Sequence, residues 1–185
     1  MEKTKVFVMA LFIIIALLSI IFEIAFLVTR VLNLPLSLDL PIELRIVGAV
    51  SIGVGVVLVL WLFKYRRPAT MLVSTYFTFR KLFTRAPIGE ASGRIEPLII
   101  RGPQKYVRHP LYLGAIIVFW GYGLLTGTTS ILIGALIVLF WFRLVQIPFE
   151  EKEMRALFGD QYVRYMHDTP MLIPFMKLRA GKIRR

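Results

Sequence analysis

PLYLGAIIVFWGYGLLTGTTSILIGALIVLFWFRLVQIPF, residues Pro110 to Phe149, holds a single charged side chain, Arg143. It divides into apolar runs from Pro110 to about Leu125 and from Ile131 to Phe149, with Thr126 to Ser130 between them. Each run approaches the roughly 20 apolar residues that cross the hydrocarbon core of a bilayer. An isolated strand cannot satisfy its backbone in lipid, so both runs are predicted to be helices. The short connection forces a tight antiparallel hairpin, and the two lengths nearly match, roughly 25 and 28 Å at 1.5 Å of rise per residue. The start of one helix and the end of the other therefore meet at one face of the membrane.

Two more apolar segments lie upstream, Val6 to Val28 and Ile42 to Phe63. With 57% apolar residues and a mean hydropathy of +0.73, the chain exceeds the apolar share of soluble domains, and a membrane solvent accounts for the excess. The expected fold is all-α: a multi-pass transmembrane helical bundle of four main helices, the last two a hairpin, with a cytoplasmic interfacial helix and a carboxyl-terminal cap. At 185 residues one domain is expected, made of two helices over 1–63, a cytoplasmic loop over 64–109, the hairpin over 110–149 and a covering tail over 150–185. The first segment follows Lys3 and Lys5 like a signal peptide, but it is too long and no small-residue cleavage site follows, so it reads as a retained helix.

The net charge of +12 does not point to nucleic acid, because the basic residues lie between and after apolar segments and form no basic domain. Lys64, Arg66, Arg67, Arg80, Lys81, Arg85, Arg94, Arg101, Lys105 and Arg108 fall between the second and third helices, against Glu90 and Glu96 alone. The tail after Phe149 adds Lys152, Arg155, Arg164, Lys177, Arg179, Lys182, Arg184 and Arg185, and the Thr126 to Ser130 turn carries no charge. Both termini and the long loop are therefore expected in the cytoplasm, against anionic headgroups. Within the loop, Leu72, Tyr76, Phe79 and Phe83 recur at helical spacing; an interfacial helix and an extension of the second helix past Pro68 fit the periodicity equally. The chain has no Cys and only His109 and His167, a poor set for a zinc site, and no metal is expected.

At the cytoplasmic end of the hairpin, Pro110 suits the first helical position and biases His109 toward an extended N-cap. Free backbone N–H groups there, with Arg108, make an anion site. Glu150 and Glu151 leave the other helix just past Pro148, which is expected to loosen its last turn. An anion receptor facing a carboxylate pair suits a zwitterion such as the methionyl end of S-adenosylmethionine. Spacing alone does not name the ligand, and Arg108 snorkelling to phosphates beside two glutamates at a helix exit is an equal alternative.

The stretch Gly102-Pro-Gln-Lys-Tyr-Val-Arg-His-Pro-Leu-Tyr-Leu-Gly114 resembles the signature of the membrane methyltransferases that include isoprenylcysteine carboxyl methyltransferase and phosphatidylethanolamine methyltransferase. Glu150-Glu151, Phe158-Gly-Asp-Gln-Tyr162, Tyr165 and Pro170 to Phe175 are similar to that family's carboxyl-terminal pattern, in the same order. The resemblance implies an S-adenosylmethionine pocket built from Glu96, Pro97, Leu98, Ile99, Arg108, His109, Pro110, Leu111, Tyr112, Glu150 and Glu151. It also implies a lipophilic methyl acceptor arriving from the bilayer and a tail from Phe158 to Phe175 that covers the donor.

This chain departs from the family pattern at three positions. Carboxyl methyltransferases of the family carry an Arg four residues before the glutamate matching Glu150, where it holds the substrate carboxylate; Gln146 stands there. Arg143 lies a turn deeper on another face, and Arg143 and Gln146 are the candidate substrate contacts. Gln104 replaces a common Tyr and Glu96 a common His, so adenine contacts should differ. Gly53-Val-Gly55 is similar to a motif of the phospholipid branch, yet close packing through small residues explains it more cheaply. Glu23 reads as a structural residue near the outer interface.

The reaction expected is an in-line displacement at the sulfonium methyl, in which orientation contributes up to roughly 7–11 kcal/mol. Tyr112 or Tyr106 would face the cation, and His109 is the candidate catalytic base, with Glu150 or Glu151 as alternatives. Two rival readings are an NADPH-dependent membrane reductase of related fold and a non-enzymatic helical subunit. The oligomeric state and the identity of the acceptor lie beyond these signals.

Overall fold

The computed structural model describes residues 3–84 and 97–174. Six α-helices follow in order: α1 (Lys3–Val31), α2 (Ile42–Phe63), α3 (Pro68–Thr84), α4 (Pro110–Thr126), α5 (Thr129–Trp141) and α6 (Ile147–Asp168). A 3₁₀ turn, Gly102–Lys105, precedes α4, and a π turn, Phe142–Gln146, joins α5 to α6. Among the described residues there is no strand, only a bridge between Ser37 and Thr128. The chain is an all-α, multi-pass integral membrane protein: Lys5–Val31, Ile42–Phe63 and the rod Thr129–Asp168 are long and apolar enough to span, and Pro110–Thr126 is a shorter apolar helix.

Helices α2 and α4 lie antiparallel and almost backbone to backbone. A Cβ on Gly48 would sit 2.6 Å from the Gly121 carbonyl oxygen, and one on Gly55 would sit 2.8 Å from that of Gly114. Lipid supplies no hydrophobic drive between helices, so such small-residue seams let dispersion and backbone contacts hold them together. Gly53 has open space around it. The pattern Gly53-Val-Gly55 thus resolves into one packing glycine and one on the outside.

The hairpin is tighter than expected. Helix α4 ends at Thr126 and α5 starts at Thr129, so Gly127 and Thr128 alone connect them, where a five-residue turn was read from Thr126 to Ser130. Gly127 takes φ +70°, and a Cβ there would meet the Leu38 carbonyl oxygen at 2.4 Å. The α1–α2 connection holds this turn through Leu38 N–H to Gly127 O at 2.8 Å and Thr129 N–H to Leu36 O at 3.1 Å.

A second correction concerns the fourth membrane helix, which was expected to end at Phe149 with Pro148 loosening it. Instead the helix continues past Pro148 as far as Phe158, breaks at Gly159, whose φ of +50° and ψ of −133° are not helical, and resumes to Asp168. The π turn explains why: Ile147 N–H donates to Phe142 O, five residues back. This one-residue slip lies immediately before Pro148 and relieves the clash and the missing donor that a proline brings to a regular helix. The apolar part of the rod still ends at Phe149, and polar residues follow.

Helix α3 is separate from α2, opening at Pro68 after a turn at Lys64–Arg67. Tyr76 packs with Val6 and Ala10 of α1. Its opposite side reaches α6, where Lys81 Nζ lies 2.7 Å from Glu153 Oε1 and Thr78 donates to Glu153 Oε2 at 3.1 Å. Both charges are buried. Phe83, read as part of the apolar face, is exposed, as is Glu23 on α1.

Candidate functional site

The site is a cleft of about 620 Å³, measured to its open mouth, between the ends of α2, α3, α4 and α6. The 3₁₀ turn forms one edge: Gly102, at φ +58°, passes so close to Tyr65 that a Cβ would meet its ring at 2.4 Å, and Tyr106 packs on Trp61 with ring centroids 5.9 Å apart. Tyr106 is 54% exposed and does not line the cleft, so it does not face a cation there as its position in the sequence suggested.

Pro110 occupies the first turn of α4, and His109 is its N-cap, though at φ −121° and ψ 63° it lies outside the extended region expected of it. The backbone N–H groups of Arg108 and His109 are not left for an anion. They donate to the carbonyls of Pro170 and Met171 at 2.9 and 3.1 Å, which straps the tail across the helix start. Only the Leu111 and Tyr112 N–H groups of the first turn lack an earlier helical carbonyl.

The Arg108 side chain is likewise engaged. Its Nε and Nη2 lie 2.8 and 2.7 Å from Glu151 Oε1, and Nη1 donates to the carbonyls of Met166 and Thr169 at the end of α6. Arg108 was expected to receive an anion; here it neutralises a buried glutamate and caps a helix whose last carbonyls carry partial negative charge. Glu151 also accepts from His109 Nε2 at 3.2 Å. Burial alone would raise the Glu151 carboxyl, but the His109 hydrogen bond and the Arg108 charge outweigh it and hold the group below the ordinary carboxylate range.

Glu150 faces the cleft. Tyr112 hydroxyl donates to its Oε2 at 3.0 Å, and His109 Nδ1 lies 3.7 Å from the same oxygen. Tyr112 stacks on His109 with centroids 5.6 Å apart and lies tilted against Phe142 at 4.5 Å. Behind it, Gln146 is 1% exposed and its Nε2 lies 3.5 Å from the Tyr112 hydroxyl. Tyr162 and Tyr165 close the far wall, and the Tyr165 hydroxyl donates to the Gln104 carbonyl at 2.6 Å. Burial pushes both phenols above their ordinary range, so each keeps its hydroxyl proton at neutral pH.

Of the residues read from the sequence, Leu98, Arg108, His109, Pro110, Leu111, Tyr112 and Glu150 line the cleft. Glu151 lies beneath it, bound to Arg108 and His109. Pro97 is exposed and Ile99 half-buried, neither lining it; Glu96 and Phe175 lie outside the described residues. Arg143 is half-buried in the π turn and Gln146 buried beside it, neither lining the cleft. Sequence reasoning missed Leu62, Arg66, Met71, Ser74, Thr75 and Met154. No local signal marks them, because they reach the cleft only once α3 and α6 fold against the end of α2. Among the described residues no group of three His, Asp or Glu side chains is placed to hold a metal ion.

The profile of the phospholipid methyltransferase family matches residues 44–161. The chain is 40% identical over 82 residues to the methanethiol S-methyltransferase of Crocosphaera subtropica, which is 43% of this chain and 31% of that protein. It is 40% identical over 73 residues to methanethiol S-methyltransferase 1 of Bradyrhizobium diazoefficiens, covering 40% and 25% of the two chains. Protein-S-isoprenylcysteine O-methyltransferase B of Arabidopsis thaliana is 34% identical over 82 residues, 43% and 40%. The matches thus span between a quarter and two fifths of these relatives' lengths.

Proposed function

Because the chain belongs to the phospholipid methyltransferase family, we propose that it is an S-adenosylmethionine-dependent methyltransferase acting on a small lipophilic acceptor at the cytoplasmic face. The observation that carries this reading is the juncture of α4 and α6: His109 and Tyr112 from one helix meet Glu150 and Glu151 from the other within 3.0–3.7 Å. The positive Lys/Arg balance of the 64–109 loop and of the tail supports a cytoplasmic position for this juncture and for both termini. We take 1–185 as one functional unit, with 1–63 and 110–149 in the bilayer, 64–109 at its surface and 150–185 folded over the site.

The cleft suits the donor on its own chemistry. Glu150 presents negative charge for an ammonium, and the Leu111 and Tyr112 N–H groups suit a carboxylate. When bound, the donor supplies an electrophilic methyl group. The protein's part is to orient, to exclude water and to handle a proton. His109 Nε2–H donates to Glu151, which fixes the tautomer and leaves Nδ1, beside Glu150, as the acceptor for a proton from the substrate. The imidazolium so formed is stabilised between two carboxylates.

A thiol is the acceptor class best supported. Relatives named methanethiol S-methyltransferase favour it, and Gln146, where related carboxyl methyltransferases carry Arg, offers a carboxylate substrate no charge. The test is transfer of labelled methyl from S-adenosylmethionine to a series of short alkanethiols by the purified protein in vesicles, with His109→Ala and Glu150→Ala as controls. Methylated thiol that disappears in both variants supports the reading. Binding of NADPH without binding of S-adenosylhomocysteine refutes it in favour of a reductase, and binding of neither favours a non-enzymatic subunit.

A further inference from the structure

Gln104 provides the one amide side chain among the described residues lining the cleft. It is 7% exposed, and its Oε1 is buried with no hydrogen-bond partner. Its backbone is held in place, the carbonyl by the Tyr165 hydroxyl at 2.6 Å and the N–H by Arg101 O at 3.3 Å. A buried acceptor without a partner is unfavourable, and native proteins keep few of them outside functional sites.

The surroundings indicate what the amide is for. Leu62, Met71 and Leu98 give apolar walls, and the rings of Tyr162 and Tyr165 stand 5.8 Å apart on the far side. The charged end of the cleft, Glu150 with His109, matches the amino-acid end of the donor. A neutral amide beside flat apolar walls matches instead the edge of a purine, where an exocyclic amine adjoins a ring nitrogen. A Gln amide pairs with that edge in two hydrogen bonds, its oxygen accepting and its nitrogen donating.

We infer that Gln104 reads the base of the methyl donor, with Oε1 accepting from the adenine 6-amino group and Nε2 donating to the adjacent ring nitrogen. The inference rests on the donor assigned under Proposed function. With N7 as that ring nitrogen, hypoxanthine presents two acceptors, O6 and N7, on the same edge, so neither orientation of the amide pairs with both and it is rejected.

The experiment is calorimetric titration of the detergent-solubilised full chain with S-adenosylhomocysteine and with S-inosylhomocysteine. The wild type is expected to prefer the adenosyl ligand by at least about tenfold. Gln104→Ala should weaken the adenosyl ligand by roughly tenfold to a hundredfold and bring the two ligands within about threefold of each other. Gln104→Glu, of the same shape, keeps the acceptor and loses the donor, so it should keep part of the preference if the alanine variant does not fold. A wild type that binds both ligands equally overturns the inference, and so does a variant that weakens both by the same factor, which is what a purely structural Gln104 would do. If S-adenosylhomocysteine does not bind the wild type at all, the donor assignment fails with it. Good binding without discrimination leaves that assignment standing and removes only the role of Gln104.

Discussion

Glu150 and Glu151 are neighbours in the chain, yet the fold predicts that they fail in opposite ways. Glu151 is the buried counter-charge of Arg108: their side chains are 6% and 8% exposed, and they are joined at 2.7–2.8 Å. Glu151→Gln leaves a buried guanidinium without its anion, which costs about 3–5 kcal/mol. Arg108 keeps the Met166 and Thr169 carbonyls, so the lower end of that range is expected. At about 2–4 °C per kcal/mol for a chain of this size, the melting temperature should fall by roughly 6–12 °C. Glu150 is 18% exposed at the side chain and accepts the Tyr112 hydroxyl at 3.0 Å. Glu150→Gln should therefore cost about 1 kcal/mol and shift melting by only a few degrees. Donor affinity should behave the other way, falling at least about tenfold in Glu150→Gln through loss of the charge that meets the ammonium. The assay is thermal unfolding in micelles with and without S-adenosylhomocysteine, since a ligand that binds only the folded state raises the midpoint. A Glu151→Gln protein as stable as the wild type, or a Glu150→Gln protein with full ligand stabilisation, would refute the division of labour.

Three further outcomes follow from the same contacts. Glu151 binds its proton more weakly folded than unfolded, so its contribution is complete above the unfolded carboxyl pKa and lost as pH falls through the lower folded value; the acid limb of a melting-temperature profile should be steeper in the wild type than in Glu151→Gln. Gly55→Leu drives a side chain into the Gly114 carbonyl oxygen and Val118 of α4 and should cost about 1–3 kcal/mol or more, whereas Gly53→Ala, in open space, should be neutral or stabilise by up to about 1 kcal/mol; equal effects in unfolding would place the helix seam elsewhere. Lys81→Met strands Glu153 in the interior and should destabilise by about 3–5 kcal/mol, while Lys81→Met with Glu153→Met should recover most of that, as a double-mutant cycle in denaturant would measure.

Much of this was legible in the linear chain, for a physical reason. Lipid offers no hydrogen bonds to the backbone, so the apolar runs at Val6–Val28, Ile42–Phe63 and Pro110–Phe149 had to be helical. Pro110 marked a helix start, and the pairing of Arg108-His109 with Glu150-Glu151 followed from two runs of matching length on a short turn. The errors have equally specific causes. Pro148 was read as a weakening of the helix, but a π turn is set by how neighbouring backbones compete for carbonyls and leaves no composition signal. Arg108 was read as an anion receptor because the segment that occupies it, Met166 to Met171, lies about sixty residues on.

Local sequence therefore determined the membrane helices, their hairpin and the meeting of an imidazole with two carboxylates, because each depends on hydrophobic length or on chain neighbours. The tertiary structure alone decided which charges serve the cleft and which are consumed beneath it. Glu151 and Arg108 neutralise each other, Glu150 faces the cavity, and Gln104 is turned toward it with an unmet acceptor. Those assignments depend on desolvation, and a side chain's access to water is set by segments far from it in the chain.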